Sequence, residues 1–292
     1  FPFTPREGQN FLMGRVYAAV KEEKPLFIQA PTGTGKTIAA VYPALKAMGD
    51  EYAGDVFYLT AKTVTRKVAV DTFAFLTEKG YEGRTVEISS KDRICPLEKR
   101  ECNPEKCERA KGHFDRINSC LFGILTENKM ITRDVVARYA EEAKVCPFEL
   151  SLDVSGFSDG IICDYNYVFD PNVRLQRFFG DGSKGEHIFL IDESHNLLER
   201  AREMYSETLV KEEFLAVKKE MKDIYPPLTA PLERCNRTML KYKKLCGDIL
   251  YLEDIDELCF DLLNLNTVFL RMRSLKKRSR IISFTGIWTE NT

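Results

Sequence analysis

The sequence predicts an α/β protein in which helices pack on a parallel sheet. Short apolar runs alternate with helical patterns over the first 90 residues, which is typical of this class. A glycine-rich turn, Ala30 to Thr37 (APTGTGKT), lies between an apolar run and a helical pattern. A later apolar run ends in the acidic pair Asp192 and Glu193. Both motifs are expected at the carboxyl edge of such a sheet.

The individual elements follow from the spacing of apolar residues. We predict strands at 26–29, 56–60, 84–89, 160–165 and 187–191. We predict helices at 9–23, 38–48, 64–78, 210–222, 232–251 and 255–275. Between residues 91 and 146 no strand is predicted, only cysteine, proline and charge followed by amphipathic helices. A small module therefore interrupts the α/β domain.

The composition allows a substantial core. The chain has 292 residues, of which 44% are hydrophobic and 30% charged, so two domains are expected. The net charge of −1 gives no overall basic field, and any nucleic-acid binding must come from local patches. The absence of a long apolar run and of a signal peptide predicts a cytoplasmic protein with no membrane segment. The start at Phe1 indicates a trimmed chain or a fragment.

The glycine-rich turn predicts a phosphate-binding loop for ATP. Glycine allows the backbone to approach closely, so that N–H groups and the helix N-terminus point at phosphate oxygens. Lys36 would reach the outer phosphates and the Thr37 hydroxyl would bind Mg²⁺. The predicted nucleotide-binding residues of the loop are Gly33, Thr34, Gly35, Lys36 and Thr37.

The acidic pair predicts the second half of an ATPase site. Asp192 would hold Mg²⁺ through its water shell, and Glu193 would orient or deprotonate the attacking water. His195 would relay the nucleotide state to a bound polymer, or else it is a histidine at a helix N-terminus with no role. The pattern Asp-Glu-x-His, together with the loop, points to superfamily 2 helicases rather than to kinases or transporters.

Nine cysteines are many for a reducing compartment, where metal ligands or buried thiols are more usual than disulfides. Five lie in the interrupting module, and four of them are candidate metal ligands: Cys95, Cys102, Cys107 and Cys146. Their spacing leaves open an iron–sulfur cluster, a zinc site or unrelated thiols. Buried packing positions are expected for the other five, Cys120, Cys163, Cys235, Cys246 and Cys259.

The order of these motifs resembles the XPD/DinG helicases, which are iron–sulfur, superfamily 2 enzymes acting on DNA. The motifs that carry the resemblance are FPFTPREGQ, APTGTGKT, LTAKTVTR, the four cysteines, CPFELSLD, IICDYNYVFDP and IDESHNL. The likeness is close over residues 1–200 and loose over the helical remainder. One departure is Ser194 in place of the usual alanine, which should spare magnesium binding.

The resemblance implies a domain order. A RecA-like domain would comprise 1–90 and 147–205, a four-cysteine module 91–146, and a truncated helical arch 206–292. It implies a 4Fe-4S cluster held by Cys95, Cys102, Cys107 and Cys146. It also implies that Arg6 and Gln9 lie near the nucleotide base.

The same resemblance implies a polymer and a direction. Single-stranded DNA, or DNA with a single-stranded 5′ overhang, would pass between arch, module and motor, with movement from 5′ to 3′ in repair or replication. Lys62, Thr63 and Arg66 would grip its phosphates. The second RecA-like domain, which supplies an arginine finger, is missing, so we expect nucleotide binding, feeble hydrolysis and no unwinding. Alternatives are a non-catalytic DNA- or partner-binding module and a zinc-binding regulatory ATPase.

Overall fold

The computed structural model describes residues 1–31, 33–180 and 185–278, and it divides into two compact units, residues 1–205 and the residues from Ser206 onward. The first unit contains a five-stranded sheet. Its strands are β1 (Asp55–Leu59), β2 (Thr85–Glu87), β3 (Met130–Ile131), β4 (Gly160–Cys163) and β5 (His187–Ile191). They lie in the order β3-β2-β4-β1-β5, and each neighbouring pair is parallel. The predicted α/β class is thereby confirmed.

Helices precede, connect and follow these strands. They are α1 (Gln9–Lys21), α2 (Lys36–Gly49), α3 (Thr63–Glu78), α4 (Lys91–Ile94), α5 (His113–Glu127), α6 (Arg133–Ala143), α7 (Pro147–Ser155), α8 (Asn166–Phe169), α9 (Gln176–Phe179) and α10 (Leu197–Met204). A 3-10 turn at Ser194–Asn196 precedes α10. Because parallel strands need crossover connections, this alternation of strands and helices is what the topology requires.

The inner strand β1, which lies between β4 and β5, is buried on both faces of the sheet. Its side chains alternate, so Val56 and Tyr58 join the core formed with α1, α2 and α3. Phe57 and Leu59 join the opposite core, to which α5, α6 and α7 contribute. Burial on both sides explains why the strand reads as a continuous apolar run. Each fully buried side chain of this size contributes about 1.5–3 kcal/mol of transfer free energy.

The predicted strand at 26–29 is wrong, since these residues belong to no strand of the described sheet. Leu26 packs against the α1–α3 core, whereas Phe27 is 90% exposed. An apolar run of four residues predicts that some side chains are buried. Pairing depends on a neighbouring backbone in register, which a local pattern does not specify.

The interval 91–146 contains a strand that the sequence pattern missed. Met130 and Ile131 form β3, which pairs with Thr85 and Val86 of β2 at the sheet edge. Two residues are too few to display the period-two alternation by which strands are recognised. The segment thus takes part in the same sheet as β1 and β5.

The remaining cysteines only partly follow the expectation of burial. Cys120, Cys163 and Cys235 are buried, as predicted. The prediction is wrong for Cys259, which is exposed on a helix, and Cys246 is only partly covered. An apolar neighbourhood in sequence does not determine which face of a helix is packed, and this explains the difference.

The second unit is helical in its described part. It contains α11 (Lys211–Ile224), a 3-10 turn (Pro226–Leu228), α12 (Thr229–Leu245) and α13 (Asp256–Arg278). A small core joins them, made of Met221, Leu228, Leu232 and Met272. The helix predicted at 232–251 ends at Leu245, and Gly247 follows two residues later. The described helices include none with both the length and the apolar character of a membrane span.

Candidate functional site

The phosphate-loop motif lies directly before α2. Gly33 and Gly35 adopt φ values of 81° and 74°, which only glycine takes readily, and Gly35 caps the N-terminus of α2. Lys36 and Thr37 therefore form the first turn of the helix. Unpaired N–H groups at such a terminus favour an anion. The local sequence alone accounts for this geometry.

Residues before α1 contact the loop backbone. The Gln9 side-chain amide donates to the Thr34 carbonyl at 3.0 Å and accepts from the Arg6 N–H at 2.7 Å. The Arg6 guanidinium donates to the Gly33 carbonyl. A Cβ at Gly35 would lie 2.5 Å from Gln9 Nε2, so the close approach also requires glycine there. Arg6 and Gln9 are thus brought to the loop, and Gln9 is only 7% exposed.

Tyr58 joins the loop to the acidic pair. Its hydroxyl lies near the side chains of Thr37 and Asp192, and its ring is buried in the strand. Burial raises the pKa of Tyr58, and burial also raises the pKa of the Asp192 carboxyl, which the charge of Lys36 opposes. Lys36, Thr37 and Asp192 therefore lie in one place. Sequence reasoning did not identify Tyr58, although a hydroxyl one residue before the end of a buried strand was a usable signal.

The acidic pair lies where β5 ends. The Asp192 N–H donates to the Leu59 carbonyl at 3.0 Å and so continues the pairing with β1. Glu193 has a φ of 52°, an uncommon conformation for a non-glycine residue and one that tends to occur at functional sites. His195 Nδ1 lies 3.6 Å from the Glu193 carboxylate, and its side chain is 69% exposed. The Tyr165 hydroxyl, also missed from sequence, donates to the carbonyls of Asp192 and Glu193.

The three residues predicted to grip DNA do not share one surface. Lys62 and Thr63 are exposed at the N-terminus of α3, and Thr63 Oγ1 accepts from the Arg93 guanidinium at 3.0 Å. Arg66 is only 6% exposed, and its guanidinium lies 3.8 Å from the Asp164 carboxylate. Arg66 therefore faces the interior, where the Asp164 carboxylate is its charge partner.

The four predicted cluster ligands lie on turns and helix ends. Cys95 follows α4, Cys102 and Cys107 lie on a turn, and Cys146 precedes α7. Burial raises the pKa of the Cys146 thiol, and Cys102 is close enough to add to this effect. All four are free thiols. Among the described residues, no three histidine, cysteine or acidic side chains are grouped closely enough to hold a metal ion.

Two arginines tie the backbone segments of these cysteines together. Arg109 donates to the carbonyls of Ala140 and Val145 at 3.0 and 3.2 Å. Arg116 donates to the carbonyls of Ala143 and Lys144 at 3.1 and 2.8 Å. The segment after Cys107 is thereby held against the segment before Cys146. Four free thiols on connected segments fit a thiolate-bound metal centre in their chemistry, although the side chains do not converge.

Comparison with known proteins is consistent with this site. The family model DEAD_2 matches residues 81–214, and the model of the DEAD/DEAH box helicases matches residues 14–101. "Regulator of telomere elongation helicase 1" of Bos taurus is 22% identical over 255 residues, which cover 70% of this chain and 21% of the relative. The "Regulator of telomere elongation helicase 1 homolog" of Drosophila persimilis is 25% identical over 257 residues, which cover 68% of this chain and 24% of the relative.

A solved structure named "Truncated XPD" shares the fold. It aligns with a TM-score of 0.53 and 18% identity over 93% of this chain and 77% of that chain. The chain spans less than a quarter of the length of the two curated relatives described above. The ranges matched by the two family models overlap between residues 81 and 101. Together they cover the phosphate loop, the cysteine segment and the acidic pair. The family models and the helicase relatives together support an N-terminal motor region of the XPD/DinG-type superfamily 2 helicases in this chain.

Proposed function

We propose that this chain is the ATP-binding half of a DNA helicase that moves from 5′ to 3′ in DNA repair or replication. The observation that carries the proposal is that Thr37, in the first turn of α2, and Asp192, at the end of β5, lie near one another beside Tyr58. These two side chains are 155 positions apart in sequence, yet they meet beside a helix N-terminus, and both are oxygen ligands suited to Mg²⁺.

In this proposal, separate residues bind the phosphates, hold Mg²⁺ and activate the attacking water. The loop N–H groups and Lys36 hold the phosphates, while Arg6 and Gln9 support the loop and lie near the base. Thr37 and Asp192 would hold Mg²⁺, which when bound neutralises charge on the phosphate oxygens. Glu193 orients the attacking water and accepts its proton at the carboxylate, and His195 relays the nucleotide state toward DNA.

Replacing the proposed base separates binding from hydrolysis. In Glu193→Gln the side chain keeps its shape but loses its basicity, so ATP affinity should be retained while phosphate release falls by about 100-fold or more. A fluorescent ATP analogue measures the first quantity, and single-turnover phosphate release measures the second. Glu199→Gln, an exposed change on α10, is the matched control. Equal hydrolysis by Glu193→Gln and the control would remove Glu193 from the mechanism.

The proposal includes a second RecA-like domain that closes on ATP and supplies an arginine. Such an arginine increases turnover by about 10³- to 10⁵-fold in P-loop enzymes. We assign residues 206–292 to the arch in the same proposal, with single-stranded DNA or a single-stranded 5′ overhang as the polymer.

DNA contact is proposed at the start of α3. Lys62 and Thr63 are exposed at this helix N-terminus, which favours a phosphate, and the Arg93 guanidinium lies beside Thr63. Arg66 is proposed to act from inside through Asp164, since its guanidinium is covered. The contact is electrostatic and independent of sequence.

Removal of one phosphate contact has a measurable salt signature. For Lys62→Ala, we expect weaker binding of a single-stranded oligonucleotide. The slope of the logarithm of affinity against the logarithm of salt concentration should be smaller by about 1. Fluorescence anisotropy at several salt concentrations gives both numbers. Lys67→Ala is the control, because Lys67 is also exposed on α3 but lies beyond its first turn. An unchanged slope in Lys62→Ala would place the polymer elsewhere.

A 4Fe-4S cluster on Cys95, Cys102, Cys107 and Cys146 completes the proposal. The support is the set of free thiols, the effect of Cys102 on Cys146, and the arginine contacts that join their segments. The cluster would supply covalent cross-links within the cysteine module, which is proposed to lie beside the DNA path. Analysis of iron against zinc distinguishes it from the alternative metal.

A further inference from the structure

A tyrosine behind the acidic pair has no role in the mechanism so far. Tyr165 follows β4, and its ring is fully buried. Its hydroxyl donates to the Asp192 carbonyl and, at 3.3 Å, to the Glu193 carbonyl.

The backbone that receives these bonds is strained. Glu193 has a φ of 52° although it carries a side chain, an unfavourable conformation that needs surrounding contacts to persist. The Asn196 side chain also donates to the Glu193 carbonyl, at 3.0 Å. The Tyr165 hydroxyl is therefore one of two side-chain donors described at this carbonyl, and it alone also reaches the Asp192 carbonyl.

The residue before the tyrosine holds it in place. The Asp164 carboxylate accepts from the Asn166 N–H at 3.1 Å and lies 3.3 Å from the Arg200 guanidinium, with Arg66 at 3.8 Å on the other oxygen. These contacts come from α3 and α10, the helices on either side of the site. The backbone at Tyr165 is thus anchored independently of the acidic pair.

We infer that Tyr165 is a positioning residue, which holds the backbone of Asp192 and Glu193 so that the two carboxylates point at magnesium and at water. The inference rests on the proposed function, because it assigns a role within that site. The inference and the proposed function predict different results, since loss of the Tyr165 hydroxyl should leave the phosphate loop intact. The deficit in nucleotide affinity should appear in the part that Mg²⁺ adds, and not in the part measured without Mg²⁺.

The test compares two buried tyrosines two positions apart. Tyr165→Phe and Tyr167→Phe each remove one hydroxyl, and that of Tyr167 reaches only the Ser89 carbonyl, at 3.5 Å. The affinity for a fluorescent ATP analogue is measured with Mg²⁺ and with EDTA, alongside the melting temperature. In Tyr165→Phe the magnesium-dependent gain should fall by about 3- to 10-fold, the range expected for one net hydrogen bond. Tyr167→Phe should keep the full gain.

Each outcome decides between the two proposals. If the parent chain binds no nucleotide, the proposed function fails and the inference fails with it. If the parent binds ATP with a magnesium-dependent gain that Tyr165→Phe retains, only the inference is overturned. Should Tyr165→Phe not fold, 3-fluorotyrosine at position 165 keeps the hydroxyl and makes it a stronger donor. A larger magnesium-dependent gain is then expected, and an unchanged gain contradicts the inference.

Discussion

Lys36→Ala is expected to abolish nucleotide binding at working concentrations. Lys36 is in the first turn of α2, its charge acts on Asp192, and it is the cation proposed to meet the outer phosphates. Removing one partner of a desolvated charge pair costs about 2–5 kcal/mol, and the lower part of this range already weakens affinity by about 30- to 1,000-fold. Titration with a fluorescent ATP analogue measures the loss.

The same helix provides the control for this experiment. Lys46→Ala removes an exposed lysine near the C-terminal end of α2, far along the helix from the loop. It should leave the affinity unchanged and the melting temperature nearly so, because exposed substitutions usually change stability by less than about 0.5 kcal/mol. If the two variants bind ATP equally well, the loop is not the phosphate site.

Cys102→Ser is expected to lose the metal centre almost completely. The parent chain, prepared without oxygen, should contain about four iron atoms with matching sulfide, and the variant close to none, since a thiolate is the ligand type such clusters require. The physical reason is that serine oxygen is a much poorer ligand for this iron. Iron and sulfide assays, together with visible absorption, give the result.

The structure also predicts that Cys102→Ser keeps its secondary structure when iron is lost. The module carries its own packing, including Ile117, Ile124 and Val136, and Arg109 and Arg116 bond its segments together. We therefore expect far-ultraviolet circular dichroism to change little when iron is lost. Cys259→Ser, at an exposed thiol of the second unit, is the control and should keep full iron. If the parent chain contains stoichiometric zinc and no iron, the metal centre is the alternative zinc site and not a cluster.

The motifs of the nucleotide site were predictable because they encode local backbone geometry. Gly33 and Gly35 take left-handed conformations that define the loop, and an apolar run ending in Asp192 predicts a strand that terminates at the carboxyl edge of the sheet. Since parallel strands end at one edge, residues far apart in sequence were expected to meet there. The fold class and the family were correctly predicted on this basis.

The misses have a common cause. The run at 26–29 pairs with no described strand, β3 pairs despite its two residues, and Arg66 turns inward to Asp164. Each depends on a partner supplied by a distant part of the chain. Tyr58 and Tyr165 were missed for the same reason, because a buried tyrosine acquires a role only through the groups that its hydroxyl reaches.

The sequence by itself determined which chemistry this chain carries: a glycine-rich loop, a lysine and threonine after it, an acidic pair and four clustered cysteines. Short-range sterics and residue type are sufficient for that. Only the tertiary structure decided how these groups are supported: Tyr58 lies near Thr37 and Asp192, and the Tyr165 hydroxyl donates to the carbonyls of Asp192 and Glu193. A hydrogen bond between distant residues depends on distances of a few tenths of an ångström, and packing of the whole core sets those distances.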